Sequence, residues 1–287
     1  MRLPDTFQFS QAGLQDFVDC PMRFYLRYVR QVAWPAAEAE PIAEHERRMA
    51  LGQTFHRMVQ QHLVGIPQER LTPMATDPDL ERWWRNYCIY RPVDTLPVPV
   101  GSEEGGPAFR YPENTLTTAI AGRRLIAKYD LIVVRPGKHA TIFDWKTSPR
   151  RTQASTLKSR LQTCVYRYLL IRAGAYLNGG QPFAPEQIAM IYWFAEHPES
   201  PVHLPYDPAQ FRDDESYLTG LIERIKAMPD EEFIRAAEEK RCQYCRYRSY
   251  CERGGEAGRV ADVEEEFETE ELSLLDFDFE QIAEIVF

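Results

Sequence analysis

Asp144 and Lys146, in the run Thr141-Ile142-Phe143-Asp144-Trp145-Lys146-Thr147, place a carboxylate and an ammonium on one face of a strand, with Phe143 and Trp145 on the other. The run from Leu125 to Val134 is also strand-like, and Pro136-Gly137 marks a tight connection between the two. If Pro136-Gly137-Lys138 form a three-residue loop, Asp130 falls directly opposite Asp144. Two carboxylates side by side repel, and stay ionised most readily around a cation. Magnesium or manganese held by such a pair keeps positions for water and phosphate oxygens, which is what phosphodiester hydrolysis requires. Lys146 beside it would orient the attacking water or neutralise charge on the phosphorane. An Asp-x-Lys triplet alone is common on surface hairpins, so the reading depends on its company.

That company must be delivered by helices. Met49, Gly52, His56, Val59 and Leu63 are spaced 3, 4, 3, 4, which puts His56 on the inward stripe of a helix, as a core histidine or as a third metal ligand. After the hairpin, the periodicity predicts one helix over Leu157 to Ala173 with Gly174 as its stop. Gln162 and Tyr166 lie four apart on one face of it.

Together, His56, Asp130, Asp144-Trp145-Lys146 and Gln162-x-x-x-Tyr166 resemble, in type and in order, the RecB-like branch of the PD-(D/E)XK nuclease superfamily. The stretch from Phe9 to Leu26, a helix followed by Cys20-Pro21-Met22-Arg23-Phe24, is similar to that branch's opening signature, and the resemblance runs from about residue 9 to 252. It implies an α/β fold: a mixed central β-sheet flanked by helices, a restriction-endonuclease-like core. It also implies a metal site of His56, Asp130, Asp144 and the Trp145 carbonyl, with Lys146 catalytic and Gln162 and Tyr166 in support. Glu113, expected in a loop before the strands, would be an outer acid.

Six cysteines stand at 20, 88, 164, 242, 245 and 251. Cys88 and Cys164 fall in helical patterns and read as inert core thiols. Cys242-x-x-Cys245-x5-Cys251 lies in a polar, arginine-rich setting unlike that of buried structural thiols. Nothing at the start of the chain reads as a secretion signal, so disulfides are not expected and a reducing cytoplasm is. Three clustered thiolates need a fourth ligand, and Cys20 supplies it, because Pro21 should end the first helix there. Spacing alone leaves zinc and an iron–sulfur cluster both open. The resemblance implies a 4Fe–4S cluster, since one early cysteine plus a late trio is the pattern of the iron–sulfur nucleases, among them the AddB nuclease domain and the CRISPR-associated exonucleases. Such a cluster would join the N- and C-terminal segments across more than two hundred residues, as a staple.

With 287 residues and 44% hydrophobic content the chain can bury a full core, and no apolar run suggests a membrane span. The pattern predicts an amphipathic helix over Asp79 to Tyr90, a Pro- and Gly-rich loop from Arg91 to Asn114, strands over Ile188 to Phe194 and Val202 to Leu204, and a helix over Pro208 to Met228. A net charge of −9 argues against a nucleic-acid partner until it is located: residues 256–287 carry −11, leaving the body at +2. Within the body, Arg123, Arg124, Lys146, Arg150, Arg151, Lys158, Arg160, Lys240, Arg241, Arg246 and Arg248 either form a phosphate track near the site or are a solvated face. The chain therefore divides into a nuclease body, 1–255, and an acidic–hydrophobic tail, 256–287, that is disordered, docks a protein partner through its terminal Ile285-Val286-Phe287, or lies over the basic groove as a DNA mimic. The reading is a Mg²⁺- or Mn²⁺-dependent exonuclease on single-stranded DNA ends, in repair, recombination or CRISPR-type processing. The alternative is a catalytically weak DNA-binding adaptor of a helicase–nuclease or single-strand-binding-protein complex. The chain has no G-x-x-x-x-G-K-S/T loop, so any unwinding must come from a partner.

Overall fold

Gly137, at φ +73° in the loop after Arg135, lets the chain reverse in three residues. It joins β3 (Arg123–Arg135) to β4 (His139–Lys146) with the expected register: Arg135 faces His139 and Leu131 faces Phe143. The computed structural model describes residues 3–33, 40–95, 108–239, 242 and 245–253.

The sheet has six strands. Besides the hairpin it contains β1 (Gln8–Ser10), β2 (Phe109–Ile120), β5 (Ile188–Phe194) and β6 (Val202–Pro205). β4 runs parallel to β5, β1 parallel to β3, and the other pairs are antiparallel, a mixed sheet as expected. Neither β1 nor β2 was expected. Residues 109–114 belong to β2 and not to a loop, and β2 returns into β3 through Ala121 and Gly122, both at positive φ, as a two-residue hairpin turn requires.

Helices cover both faces. On one side α1 (Gln11–Asp19), α5 (Leu161–Ala173) and α6 (Pro208–Ala227) enclose a core containing Leu14, Phe17, Val165, Leu169 and Ile222 against Ile142 and Tyr192 of the sheet. On the other, α2 (Glu40–Leu63) and α3 (Pro78–Tyr90) pack Phe55, Met58, Trp83 and Trp84 against Phe143, Trp145 and Trp193. Asp77 caps α3 by accepting from the Asp79 N–H, and Pro78 opens it with a preset φ. The single helix expected over 157–173 is two, because Arg160 takes an extended conformation (φ −69°, ψ 143°) between α4 (Ala154–Ser159) and α5. Thr163 Oγ donates to the Leu157 carbonyl at 2.5 Å and so accepts from the Tyr192 hydroxyl at 2.7 Å, which satisfies the broken end. Gly174 does end α5, at a negative φ: a Cβ there would lie 2.7 Å from Leu170 Cδ1, so the glycine answers crowding and not a left-handed turn.

Candidate active site at a fork in the sheet

β2 pairs along one edge of β3 from Arg123 to Val134, so β1 and β4 must share the other edge. β1 covers Arg124 to Ile126 and β4 covers Leu131 to Arg135. Residues 127–130 of β3 lie in the fork between them. The side-chain alternation also shifts here: Leu125, Ala127 and Tyr129 enter one core, whereas beyond Asp130 it is Ile132 and Val134 that do so, with Leu131 and Val133 in the other. Glu113, which the β2–β3 register sets opposite Asp130, adopts φ +54°. This acid is in a strand and not in a loop, and it is ion-paired to Lys128.

Asp130 closes the fork. Its Oδ2 accepts from the Trp145 N–H at 2.8 Å, taking the place of the next ladder bond, and its Oδ1 lies 3.1 Å from His56 Nδ1. Continuing the β3–β4 register brings Asp130 and Asp144 to opposing positions. A strand residue turns its N–H and C=O to the same neighbour, so the Trp145 carbonyl faces this edge too. Trp145 itself is buried under α3, its ring 6.1 Å from that of Tyr87 and 6.0 Å from that of Trp193.

On the opposite face of β4, Asp144 and Lys146 are both buried, at 3% and 2% exposure. Lys146 Nζ lies 2.9 Å from Asp144 Oδ2, an ion pair whose angle is not that of a hydrogen bond. Gln162 of α5 joins the two: its Nε2 donates to Asp144 Oδ1 at 2.8 Å and its Oε1 accepts from Lys146 Nζ at 3.0 Å. A buried cation is tolerable only when paired and hydrogen-bonded in this way. Tyr166, one turn along α5, is held as a phenol: burial raises its pKa well above the ordinary value, with the charges of Asp144 and Asp130 adding to the effect. Its carbonyl accepts from the Tyr129 hydroxyl at 2.8 Å.

A cavity of about 350 Å³ opens at the fork, lined by His56, Asp130, Asp144, Lys146, Gln162 and Tyr166. All the expected catalytic side chains thus converge. Among the described residues no group of three or more His, Cys, Asp or Glu side chains is arranged to hold a metal ion. The acids point instead to their neighbours: Asp130 to His56 and Trp145, Asp144 to Lys146 and Gln162. The donor types nonetheless fit a hard divalent ion: two carboxylates and an imidazole line one cavity, and the Trp145 carbonyl faces the same edge of the strand.

Four residues of the expected phosphate track are engaged elsewhere or buried. Lys146 and Arg248 are buried, Arg123 is paired with Asp5 at 3.1 Å, and Arg151 donates to the Ser200 carbonyl. Lys240 and Arg241 lie outside the described residues. The cations that line the cavity are Arg48, Arg57 and Lys128 besides Lys146. Arg48 and Arg57 lie one position either side of the apolar stripe of α2 at Met49 and His56, a signal the sequence carried. Gln11, which also lines the cavity, carried none.

Cys20 follows α1 with an extended backbone, as Pro21 requires, and its Sγ accepts from the Ala236 N–H at 3.4 Å. Burial is the main cause of a raised pKa at Cys242 and Cys251, with the charge of Cys20 adding to it, and among the described residues the thiols form no group arranged to hold a metal ion. Burial is the largest cause at Cys245, whose thiol is pushed up to about 11 against the opposing charge of Arg23. Burial also raises Cys88 to about 11 and is the main cause of the higher pKa at Cys164, as expected for inert thiols. The tail lies outside the described residues. Among the described residues no helix is long and apolar enough to cross a membrane.

A family model described as the PD-(D/E)XK nuclease superfamily matches residues 8–252. Among solved structures, the chain is similar to a protein from Eubacterium rectale described as a candidate exonuclease, at 10% identity and TM-score 0.46, over 77% of this chain and 80% of that one. It is also similar to SSO0001, at 11% identity and TM-score 0.34, over 85% of each chain. At these scores neither likeness bears on the site. No curated protein matches the chain.

Proposed function

Because the chain belongs to the PD-(D/E)XK nuclease superfamily, we propose that it is a divalent-metal-dependent deoxyribonuclease acting as an exonuclease on single-stranded DNA ends. The observation that carries this is the buried Asp144–Lys146–Gln162 network, which meets His56 and Asp130 around one cavity. A cation so fully desolvated has no use as a surface charge, and its placement among acids suits charge that develops during reaction.

His56, Asp130, Asp144 and the Trp145 carbonyl would hold Mg²⁺ or Mn²⁺. When bound, the ion supplies Lewis-acid polarisation of a phosphoryl oxygen and a more acidic water. Lys146 Nζ, steadied by Asp144 and Gln162, neutralises negative charge on the phosphorane. The Tyr166 hydroxyl, kept protonated, serves as a further donor at the cavity wall. Asp130 fixes the His56 ring through its Nδ1 and so sets the direction of the imidazole.

Cys20, Cys242, Cys245 and Cys251 hold a 4Fe–4S cluster in this reading, with zinc as the second choice, and the cluster ties the N-terminal helix to the C-terminal segment. The body, residues 1–255, is the enzyme, and residues 256–287 dock a protein partner. The test is cleavage of end-labelled single-stranded and duplex DNA with Mg²⁺ or Mn²⁺. Single-strand degradation from an end, lost in chelator and reduced at least about a hundredfold in Asp144→Ala and Lys146→Ala, is expected. Activity that survives chelator or either substitution overturns it, and binding without cleavage in every metal would instead favour the adaptor.

A further inference from the structure

Across the fork from the acids, the wall of the cavity is the first turn of α1. Ser10, Gln11 and Ala12 line it, because β1 pairs beside residues 124–126 of β3 and α1 starts directly from its end. This wall has the opposite electrical character to the floor. Helix α1 has no acidic residue in its first turn, so the positive end of its dipole is not offset by its own side chains. The Ser10 hydroxyl is already used, accepting from the Gly13 N–H at 3.1 Å. Gln11 is 5% exposed and lines the cavity, and its carboxamide makes no hydrogen bond to any described residue, although buried polar groups are in general partnered. Arg48 and Arg57 line the same cavity from α2.

A buried amide with open donors beside a helix N-terminus is a site for an anionic oxygen. Resting on the nuclease reading, we infer that Gln11 and the first turn of α1 form a second phosphate subsite. It binds a phosphate of the DNA strand other than the one being cleaved. The Gln11 Nε2 donates to a non-bridging oxygen, and the helix end supplies the favourable field. With one phosphate at the acids and another at Gln11, the strand is held at two points and its register at the scissile bond is fixed. Glu113, on the same cavity, is engaged with Lys128 and so does not leave an isolated charge to oppose the phosphate.

The phosphate could be the internal one next to the scissile bond or a terminal one, and the experiment separates them. Wild type, Gln11→Leu and Gln11→Glu are compared on four single-stranded oligonucleotides. They are unmodified with a 5′-phosphate, unmodified with a 5′-hydroxyl, and each of these with one uncharged methylphosphonate linkage next to the cleaved bond. Affinity is read in chelator by fluorescence anisotropy, and kcat and KM with Mn²⁺. Gln11→Leu should weaken affinity and raise KM about tenfold, the scale of one hydrogen bond to a charged group, with kcat changed less than about threefold. Gln11→Glu should weaken both further by charge repulsion. The substrate change that removes the relevant phosphate should cost wild type a similar factor and cost Gln11→Leu little more, since both remove one contact. Loss on the methylphosphonate assigns the internal phosphate, and loss on the 5′-hydroxyl substrate assigns the terminal one. Wild-type affinity in Gln11→Leu and Gln11→Glu, or effects that simply add on every substrate, overturns the subsite. Failure of the wild type to cleave removes the nuclease reading instead, while the affinity measurements in chelator still decide the role of Gln11.

Discussion

Asp144→Asn keeps the shape of the site and removes the charge that Lys146 faces. Lys146 is 2% exposed, so water replaces the lost partner poorly, and the ammonium keeps neutral partners such as Gln162 Oε1 at 3.0 Å and the Tyr192 ring. Breaking a buried ion pair in this way costs about 3–5 kcal/mol. At roughly 2–4 °C per kcal/mol for a domain of this size, the melting temperature should fall by about 6–20 °C. Lys146→Met, the reverse disruption, leaves Asp144 with the Gln162 Nε2 at 2.8 Å and should destabilise by a similar amount. The double variant Asp144→Asn/Lys146→Met removes both charges at once and should recover most of the loss, because a buried pair replaced as a whole is often neutral or stabilising. The assay is thermal unfolding by circular dichroism in chelator at fixed pH, with cleavage measured in parallel. The coupling from the cycle should be at least about 3 kcal/mol, and all three variants should be inactive. Shifts under about 2 °C in both single variants, or a double variant equal to their sum, would refute the reasoning that the pair is desolvated and mutually dependent.

Cys20→Ser should abolish metal retention as fully as Cys245→Ser while Cys88→Ser does not, read as iron and zinc per chain after anaerobic purification. Because burial holds the Cys245 thiol up to about 11, it must lose a proton to ligate, so apparent Zn²⁺ affinity of the apoprotein should rise as pH increases from 6 to 8; a flat profile would remove the thiols as ligands. Gly174→Ala, whose Cβ would meet Leu170 and Phe183, should cost about 1–3 kcal/mol in a chemical denaturation midpoint, with cleavage unchanged at temperatures where the variant is folded. Removing residues 256–287, net −11, should tighten DNA binding at low salt and lose that effect as salt shortens the Debye length to about 8 Å, whereas deleting only Ile285-Val286-Phe287 should leave DNA affinity unaltered and abolish capture of a docking partner.

The β3–β4 hairpin was legible because its loop chemistry fixes the register and the register fixes which acids meet; one glycine at positive φ determines both. The turn into β3 was missed for the same kind of reason. Ala121-Gly122 performs the task usually signalled by Asn-Gly, and alanine at φ +49° gives no hint of it in composition. β2 has only Leu116 and Ile120 buried in its twelve residues, too sparse for an alternation to be read. The break at Arg160 is a tertiary matter, decided where Thr163 reaches Tyr192 from another part of the chain. Gln162 and Tyr166 lay on one helix face in either case, which is why their convergence on the site survived the wrong boundary. Glu113 was singled out as an acid, but its station opposite Asp130 depends on a strand whose pattern is nearly silent.

The fork has a consequence for the order in which the site is built. The hairpin that carries Asp130, Asp144 and Lys146 closes across three residues, a local event on the microsecond scale, and needs no other part of the chain to set its register. β1 and the first turn of α1 reach the same edge of β3 only by closing a loop of more than a hundred residues, so their arrival carries a larger entropic penalty and comes later. A nascent or partly refolded chain would therefore possess the acids before it possesses Gln11 and the opposite wall. Amides of β4 should gain protection from hydrogen exchange ahead of those in α1, and equal protection times in a pulse-labelled refolding experiment would mean that the two sides of the fork assemble together.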